Sequence, residues 1–231
     1  MSGLQGAPQV IAAIGGLGTA AFGVVDATKP LTGVNHIGFG GIRAAVRRLT
    51  PSAAGPGVSG MPQDKILATL EANWMNGTDV GSQKAIAKSL IKLNLNAGNA
   101  SAVAAATGVD PNALTAIATS IANGTPLNSS ESDVYGRFDL IVTALLDEAY
   151  QRGDQIYRNW TRALAALAAV LLAIAGGYML NGAAGAKELW SAKDFWTSVL
   201  VGLLATPLAP VAKDLSSALA TAVNTLQLVR K

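Results

Sequence analysis

The 231-residue sequence is half hydrophobic and only 13% charged, whereas an ordinary soluble domain carries roughly 25% charged residues. A net charge of +3 and an aromatic content of 5% exclude the basic, aromatic-rich surface with which single-stranded nucleic acid is bound. Cysteine is absent, which excludes disulfides, a thiolate nucleophile and cysteine-based metal sites.

The first predicted element is an apolar helix at the N-terminus. No charged side chain lies between Met1 and Val25, and Asp26 and Lys29 follow. The small-x-small pattern at Thr19–Ala21 resembles a signal-peptide cleavage site, but no basic residue precedes it. We therefore predict an uncleaved transmembrane helix in residues 1–30, with Asp26 in a local ion pair or at a hydrated interface.

Residues 31–160 carry most of the charged side chains and are predicted to form a helical cytoplasmic domain. His36 has no carboxylate close to it in the sequence, so we interpret it as a polar interface residue and not as a metal ligand. Gly38, Gly40 and Gly41 lack the preceding strand of a phosphate-binding loop and predict a turn or a close packing contact.

The helices of this central segment have local start and stop signals. Residues 63–74 have the pattern of a short amphipathic helix. Asp110 as N-cap, Pro111 in the first turn and Gly124 at the end predict another helix. Between them, Lys84, Lys88 and Lys92 form a basic stripe that predicts either a solvated face or a contact with anionic lipid. Ile86, Leu90 and Leu93 are expected to lie on the opposite face. A long helix from about residue 132 is predicted to run into the next apolar segment.

Two further uncharged runs follow, at residues 163–182 and 195–212. A helix of eighteen residues is about 27 Å long, close to the roughly 30 Å hydrocarbon core of a bilayer. All three runs are apolar around the whole helix, and Trp160, Tyr178 and Trp196 stand near their ends. The alternative interpretation is a set of buried helices in a soluble protein. Pro207 and Pro210 in the third run predict a kink or, alternatively, a gate.

Arginines set the expected orientation. They follow the first run at Arg43, Arg47 and Arg48, and they surround the start of the second at Arg152, Arg158 and Arg162. The positive-inside rule then places the N-terminus outside, residues 31–160 in the cytoplasm, and the C-terminal tail of the hairpin 161–231 inside. The predicted fold class is therefore all-α, an integral membrane protein with three transmembrane helices, located in the bacterial inner membrane.

Small residues recur at four-residue spacing in each run and are predicted to pack the helices against one another or against a neighbouring subunit. The predicted helix-packing residues are Ala12, Gly16 and Ala20 in the first run, Ala165, Ala169, Ala173 and Gly177 in the second, and Ser198, Gly202 and Thr206 in the third. Leu164, Leu167, Leu171 and Ile174 lie opposite the second stripe and are expected to face lipid.

The last hundred residues resemble a group of uncharacterised bacterial three-pass inner-membrane proteins. The likeness lies in a basic, Trp- and Tyr-containing helix that enters a span, residues 145–177, and in a final span with a small-residue and proline centre, residues 195–219. The resemblance implies the topology and brings no catalytic or binding residues with it.

We expect a non-enzymatic anchor, scaffold or subunit of a larger membrane assembly, because no catalytic, metal or nucleotide motif is present. No cofactor is expected. The expected partners are the lipid bilayer and either further copies of the chain or other membrane-complex subunits, and nucleic acid is not expected. The alternative function is a pore or transport component that uses Asp26 and the proline-broken third helix.

Overall fold

The computed structural model describes the backbone of residues 7–52, 61–180 and 193–229, and the side chains of 10–52, 61–179 and 193–211. All regular structure in these ranges is helical, so the predicted all-α class is confirmed. The helices are α1 (Ala7–Thr32), α2 (Phe39–Leu49), α3 (Gln63–Met75), α4 (Val80–Asn94), α5 (Ala100–Thr107), α6 (Pro111–Ala122), α7 (Ser129–Leu180) and α8 (Lys193–Val229). A short 3₁₀ turn covers Val34–His36. The segment between the second and third uncharged runs, at residues 181–192, and the end of the C-terminal tail lie outside the described residues.

The chain divides into two compact units. The apolar unit contains the described residues up to Val34 and from Arg158 onward, and the central unit contains Asn35–Tyr157. The helix α7 contributes its first part to the central unit and its last part to the apolar unit. The boundaries predicted at residues 30 and 160 lie close to these divisions, and the side of the membrane on which the central unit lies stays a prediction.

Among the described residues, three helices are long and apolar enough to cross a membrane. They are α1 from Val10 to Thr32, α7, and α8 from Lys193 to Val211. The helix α7 is far longer than a bilayer requires, and its uncharged part follows Arg162. Residues buried within the protein make up only 22%, 17% and 22% of the most apolar stretches of the three helices. Most of their apolar surface therefore faces away from the chain's own interior.

Local capping explains where the helices of the central unit begin and end. Asp79 caps α4 by accepting hydrogen bonds from the amides of Gly81 and Ser82. Asp110 accepts from the amide of Ala113 at the start of α6, as its sequence predicts. Glycines in the left-handed conformation follow α3, α5 and α6, where a side chain would be strained.

The helix α7 begins at Ser129, three residues earlier than the sequence predicts. Asn128 and Glu131 form a capping box in which each side chain accepts a hydrogen bond of 2.9 Å from the other's backbone amide. This reciprocal pair satisfies two amides that the first turn of a helix otherwise leaves without partners. Residues 129–131, which precede the predicted start, therefore form the first residues of the helix.

The interior of the central unit is built from one apolar face of each helix. On α7, Phe138, Val142, Leu146 and Tyr150 are all buried, and their four-residue spacing places them on one face of the helix. They belong to one buried cluster with Phe39, Ile42, Val46 and Leu49 of α2, Ile66, Leu67 and Leu70 of α3, Ala87 and Ile91 of α4, Val103 and Ala104 of α5, and Leu114 and Ala118 of α6. This core gives a rigid frame for the polar groups around it.

Candidate functional site

The small residues predicted on the second and third runs lie where those helices approach one another. Ala165, Ala169 and Gly202 are buried, whereas Ala173, Gly177, Ser198 and Thr206 are half-buried. A Cβ atom at Gly202 would lie 2.8 Å from the backbone nitrogen of Val170, and one at Gly177 would lie 2.7 Å from the Ser198 hydroxyl. Glycine at these positions permits the close approach of α7 and α8.

The stripe predicted on the first run lies outside this contact. Gly16 and Ala20 are exposed and Ala12 is half-buried, and a Cβ atom at Gly16 would meet no atom of the described residues within 4 Å. The prediction that these residues pack against the chain's own helices is wrong. Packing of the same stripe against a neighbouring subunit stays a prediction.

The buried face of α1 is instead formed by Gly15, Gly18, Ala21 and Val25. A Cβ atom at Gly18 would lie 2.7 Å from the carbonyl carbon of Ala205 and closer still to its oxygen. The wrong face of α1 was predicted because spacings of three and of four residues both return to one side of a helix. The three-residue spacing of Gly15, Gly18 and Ala21 is the signal that identifies this face.

Alanines from the three helices meet at the centre of the apolar unit. Ala21, Ala169 and Ala205 are completely buried there, and Ile14, Leu17 and Ala168 pack around them. Such small side chains bring the helix backbones together and leave the longer apolar side chains outside.

Few polar groups lie in the apolar unit. Asp26 pairs with Lys29 at 2.6 Å, and 64% of the Asp26 side chain is exposed, which confirms the predicted local ion pair. The Thr206 hydroxyl is buried and has no hydrogen-bond partner among the described residues. Thr206 precedes Pro207, and the helix continues through both Pro207 and Pro210.

The lysine stripe of α4 is paired with carboxylates of α7 and is only partly exposed to solvent. Lys84 binds the Asp147 carboxylate of α7, whereas Lys88 and Lys92 both bind Asp139 at 3.1 and 3.0 Å. The buried face of α4 is Gln83, Ala87 and Ile91, next to the lysines, and Leu93 of the predicted apolar face is exposed. The stripe therefore holds α4 against α7.

His36 has a carboxylate neighbour that its sequence surroundings do not reveal. Its Nδ1 atom lies 3.1 Å from Oε1 of Glu71, and Arg43 donates to the same oxygen at 2.7 Å. Glu71 is 35 residues away in the chain, so the expectation of no nearby carboxylate is wrong. Within the described residues, no group of three His, Asp or Glu side chains is placed to hold a metal ion.

Gly38 and Gly153 bring two backbone segments of the central unit into close contact. Gly38 precedes α2 with a φ of 91°, a conformation that favours glycine. A Cβ atom on Gly153 would lie 2.8 Å from the Gly38 carbonyl oxygen. The predicted turn and close packing contact are confirmed at Gly38, whereas Gly40 and Gly41 have open space around them.

An aromatic cluster lies beside this contact. The Trp74 ring is 6.4 Å from the rings of Phe39 and Tyr150 and 6.1 Å from that of Tyr157. Tyr150 is completely buried, and its hydroxyl has no hydrogen-bond partner in the described part of the chain. Burial raises the pKa of the Tyr150 phenol to about 12.

Two open cavities lie on the surface of the central unit. The first, of about 280 Å³, lies between α2, α5 and α7 and has small residues such as Ala45 and Ala149 on its walls, with Arg48, Glu148 and Arg152 beside them. The second, of about 270 Å³, is lined by Trp74, Asp79, Gln83, Asp154 and Tyr157 among others. No motif in the sequence identifies either cavity, because each joins residues from distant segments.

No known family model matches the sequence, and no curated protein or solved structure is significantly similar to it.

Proposed function

We propose that the protein is a non-enzymatic anchor or scaffold of the bacterial inner membrane, embedded through α1, the end of α7 and the first part of α8. One observation carries the proposal: the three helices pack through glycine and alanine and turn large apolar side chains outward. The exposed side chains include Val10, Val24, Leu167, Leu171, Leu200, Leu203, Leu204 and Val211. Water disfavours such a surface, whereas the acyl chains of a bilayer accommodate it.

Charge supports the orientation with the N-terminus outside and the central unit in the cytoplasm. Arg47, Arg48, Arg152 and Arg158 are exposed in or next to the central unit. Basic residues near the ends of spans are retained on the cytoplasmic side. Two spans after the central unit then return the C-terminus to the same side.

Exposed small residues support assembly with a second copy. Gly16 and Ala20 are exposed on α1, and a Cβ atom at Gly16 would meet no described atom within 4 Å, so that face is open to close packing with a neighbouring helix. We propose a homo-oligomer that associates through this face.

Membrane insertion is tested by washing membranes at alkaline pH with sodium carbonate. The protein is expected to stay in the pellet, because three apolar helices are held by hydrocarbon and not by surface charge. Release into the supernatant would end the proposal.

Assembly is tested by crosslinking in mild detergent. Gly16→Leu and Ala20→Leu are expected to reduce the crosslinked dimer, and Ile174→Leu, a change of shape on another helix, is the control. An unchanged dimer in both α1 variants would exclude association through this face.

A second function, as a pore or transport component, is favoured by the buried, unpartnered Thr206 hydroxyl beside Pro207. If it serves a solute path, the protein in liposomes conducts, and Thr206→Val reduces that flux. Thr197→Val is the control, because the Thr197 hydroxyl is exposed on the same helix and donates to the Lys193 carbonyl. Liposomes without flux would leave the anchor as the function.

A further inference from the structure

The first cavity of the central unit is an apolar groove with charged residues at its rim. Seven of its ten lining residues are glycine, alanine or leucine, and the other three are Arg48, Glu148 and Arg152. Leu145 and Ala149 of α7 pack against the buried core and expose part of their apolar surface to the groove. An apolar surface of this kind is unfavourable in water, and a ligand with an alkyl chain would cover it.

The charges at the rim do not cancel. Arg152 donates a hydrogen bond of 3.0 Å to Glu148, so these two opposite charges neutralise each other. Arg48 is exposed, and its guanidinium has no ion pair or hydrogen bond within the described part of the chain. A guanidinium binds a carboxylate through two parallel hydrogen bonds, so the groove has one accessible cationic group for an anion.

The size of the cavity limits the length of the chain that it accommodates. Its volume is about 280 Å³, whereas an apolar cavity of roughly 150 Å³ is large enough for benzene. The groove is therefore large enough for an alkyl chain of several carbons and too small for a folded protein segment with bulky side chains.

We propose that this groove binds an aliphatic carboxylate, the anion of a fatty acid, with the Arg48 guanidinium on the carboxylate and the alkyl chain along Ala44, Ala45 and Ala149. The two features select together: a short carboxylate lacks the chain, and an alcohol of the same length lacks the charge. This inference goes beyond an anchoring function and does not depend on it.

The experiment is isothermal titration of the full-length protein in phosphatidylcholine nanodiscs with sodium octanoate at neutral pH, with empty nanodiscs as the blank. Octanoate is expected to bind more tightly than hexanoate and hexanoate more tightly than butanoate. Each further methylene group that leaves water strengthens binding by up to roughly fourfold. Octanol, the matched ligand without charge, is expected to bind about tenfold more weakly than octanoate.

Two variants and one control identify the groove. Arg48→Gln removes the charge partner and is expected to weaken octanoate binding by about tenfold while octanol binding stays the same. Ala44 is exposed on the wall of the groove, so Ala44→Phe fills the groove from outside the core and is expected to weaken both ligands. Arg47→Gln is the control, because Arg47 is the exposed neighbour of Arg48 and does not line the groove. Circular dichroism shows that each variant is folded.

Three results would each overturn the proposal. Equal weakening by Arg47→Gln and Arg48→Gln would mean that octanoate responds only to overall charge. Octanol binding as tight as octanoate binding would indicate an uncharged apolar occupant. Absence of binding of every carboxylate by the folded protein would leave the groove to a protein occupant, such as a second copy of the chain.

Discussion

Single glycines decide how closely the helices of the apolar unit approach. Gly18 and Gly23 lie on the same helix, but only Gly18 faces the backbone of α8, at Ala205. Alanine generally favours a helix over glycine by about 1 kcal/mol, whereas an added methyl group in a filled contact costs about 1–3 kcal/mol. The same substitution at the two positions therefore has opposite expected effects.

Gly18→Ala is expected to lower the free energy of unfolding by about 1–3 kcal/mol, and Gly23→Ala to leave it unchanged or raise it slightly. Thermal unfolding in a detergent that keeps the chain monomeric measures both. Equal melting temperatures for the two variants would show that α1 and α8 do not meet through Gly18.

Tyr150 is the second residue whose surroundings determine a measurable property. Its buried hydroxyl has no partner among the described residues, so Tyr150→Phe is expected to raise the free energy of unfolding by about 1 kcal/mol at neutral pH. Urea unfolding followed by circular dichroism measures the change. Phe138→Leu, a cavity-forming change in the same core, is the control that lowers stability.

The raised pKa of Tyr150 adds a pH dependence with a defined sign. An unfolded tyrosine ionises near pH 10, whereas the folded Tyr150 stays neutral up to about pH 12. Unfolding therefore releases a proton in this window, and the contribution of Tyr150 to stability falls by about 1.4 kcal/mol per pH unit as pH rises. The Phe variant is expected to lack this part of the slope between pH 10 and 12, and identical slopes would contradict burial of the phenol.

At the scale of the helices, the pairing of α4 with α7 depends on one carboxylate. The Asp139 carboxylate accepts hydrogen bonds from the ammonium groups of both Lys88 and Lys92. Because these groups are partly exposed, each ion pair stabilises the fold by much less than a buried ion pair would. Asp139→Asn is expected to lower the free energy of unfolding by about 1 kcal/mol at low salt and by less at high salt. Urea unfolding at both salt concentrations measures this, with the exposed Asp133→Asn as control. A loss that does not change with salt would mean that the effect is not electrostatic.

The same helices show what the sequence predicts and what it does not. The bounds of α6 follow from Asp110, Pro111 and Gly124, because capping is a local interaction. The pairing of the lysines with Asp139 and Asp147, and of His36 with Glu71, joins residues far apart in the chain, so no local pattern contains it. The buried face of α1 was predicted wrongly for a related reason. Small residues recur on α1 at spacings of both three and four residues, and either spacing marks one side of a helix.

At the scale of the whole molecule, the number of spans fixes which side each segment occupies. In the proposed topology, with one span before the central unit and two after it, a reporter inserted at Gly124, between α6 and α7, and one fused after Lys231 are both expected in the cytoplasm. Activity of a cytoplasmic reporter at both positions, and of a periplasmic reporter at neither, is the expected result. Activity of a periplasmic reporter at Lys231 alone would mean that residues 161–231 cross the membrane once and not twice.

The position of Phe138, Val142, Leu146 and Tyr150 on α7 has a consequence for biosynthesis. The apolar faces of α2 to α6 stay uncovered until the ribosome has added these residues, on the order of 5–20 s after Ile42 at 5–20 residues per second. In the proposed topology, α1 is at that time the only completed span that attaches the nascent chain to the membrane. A chaperone that shields the unfinished bundle is most useful in this interval, before the second span is translated.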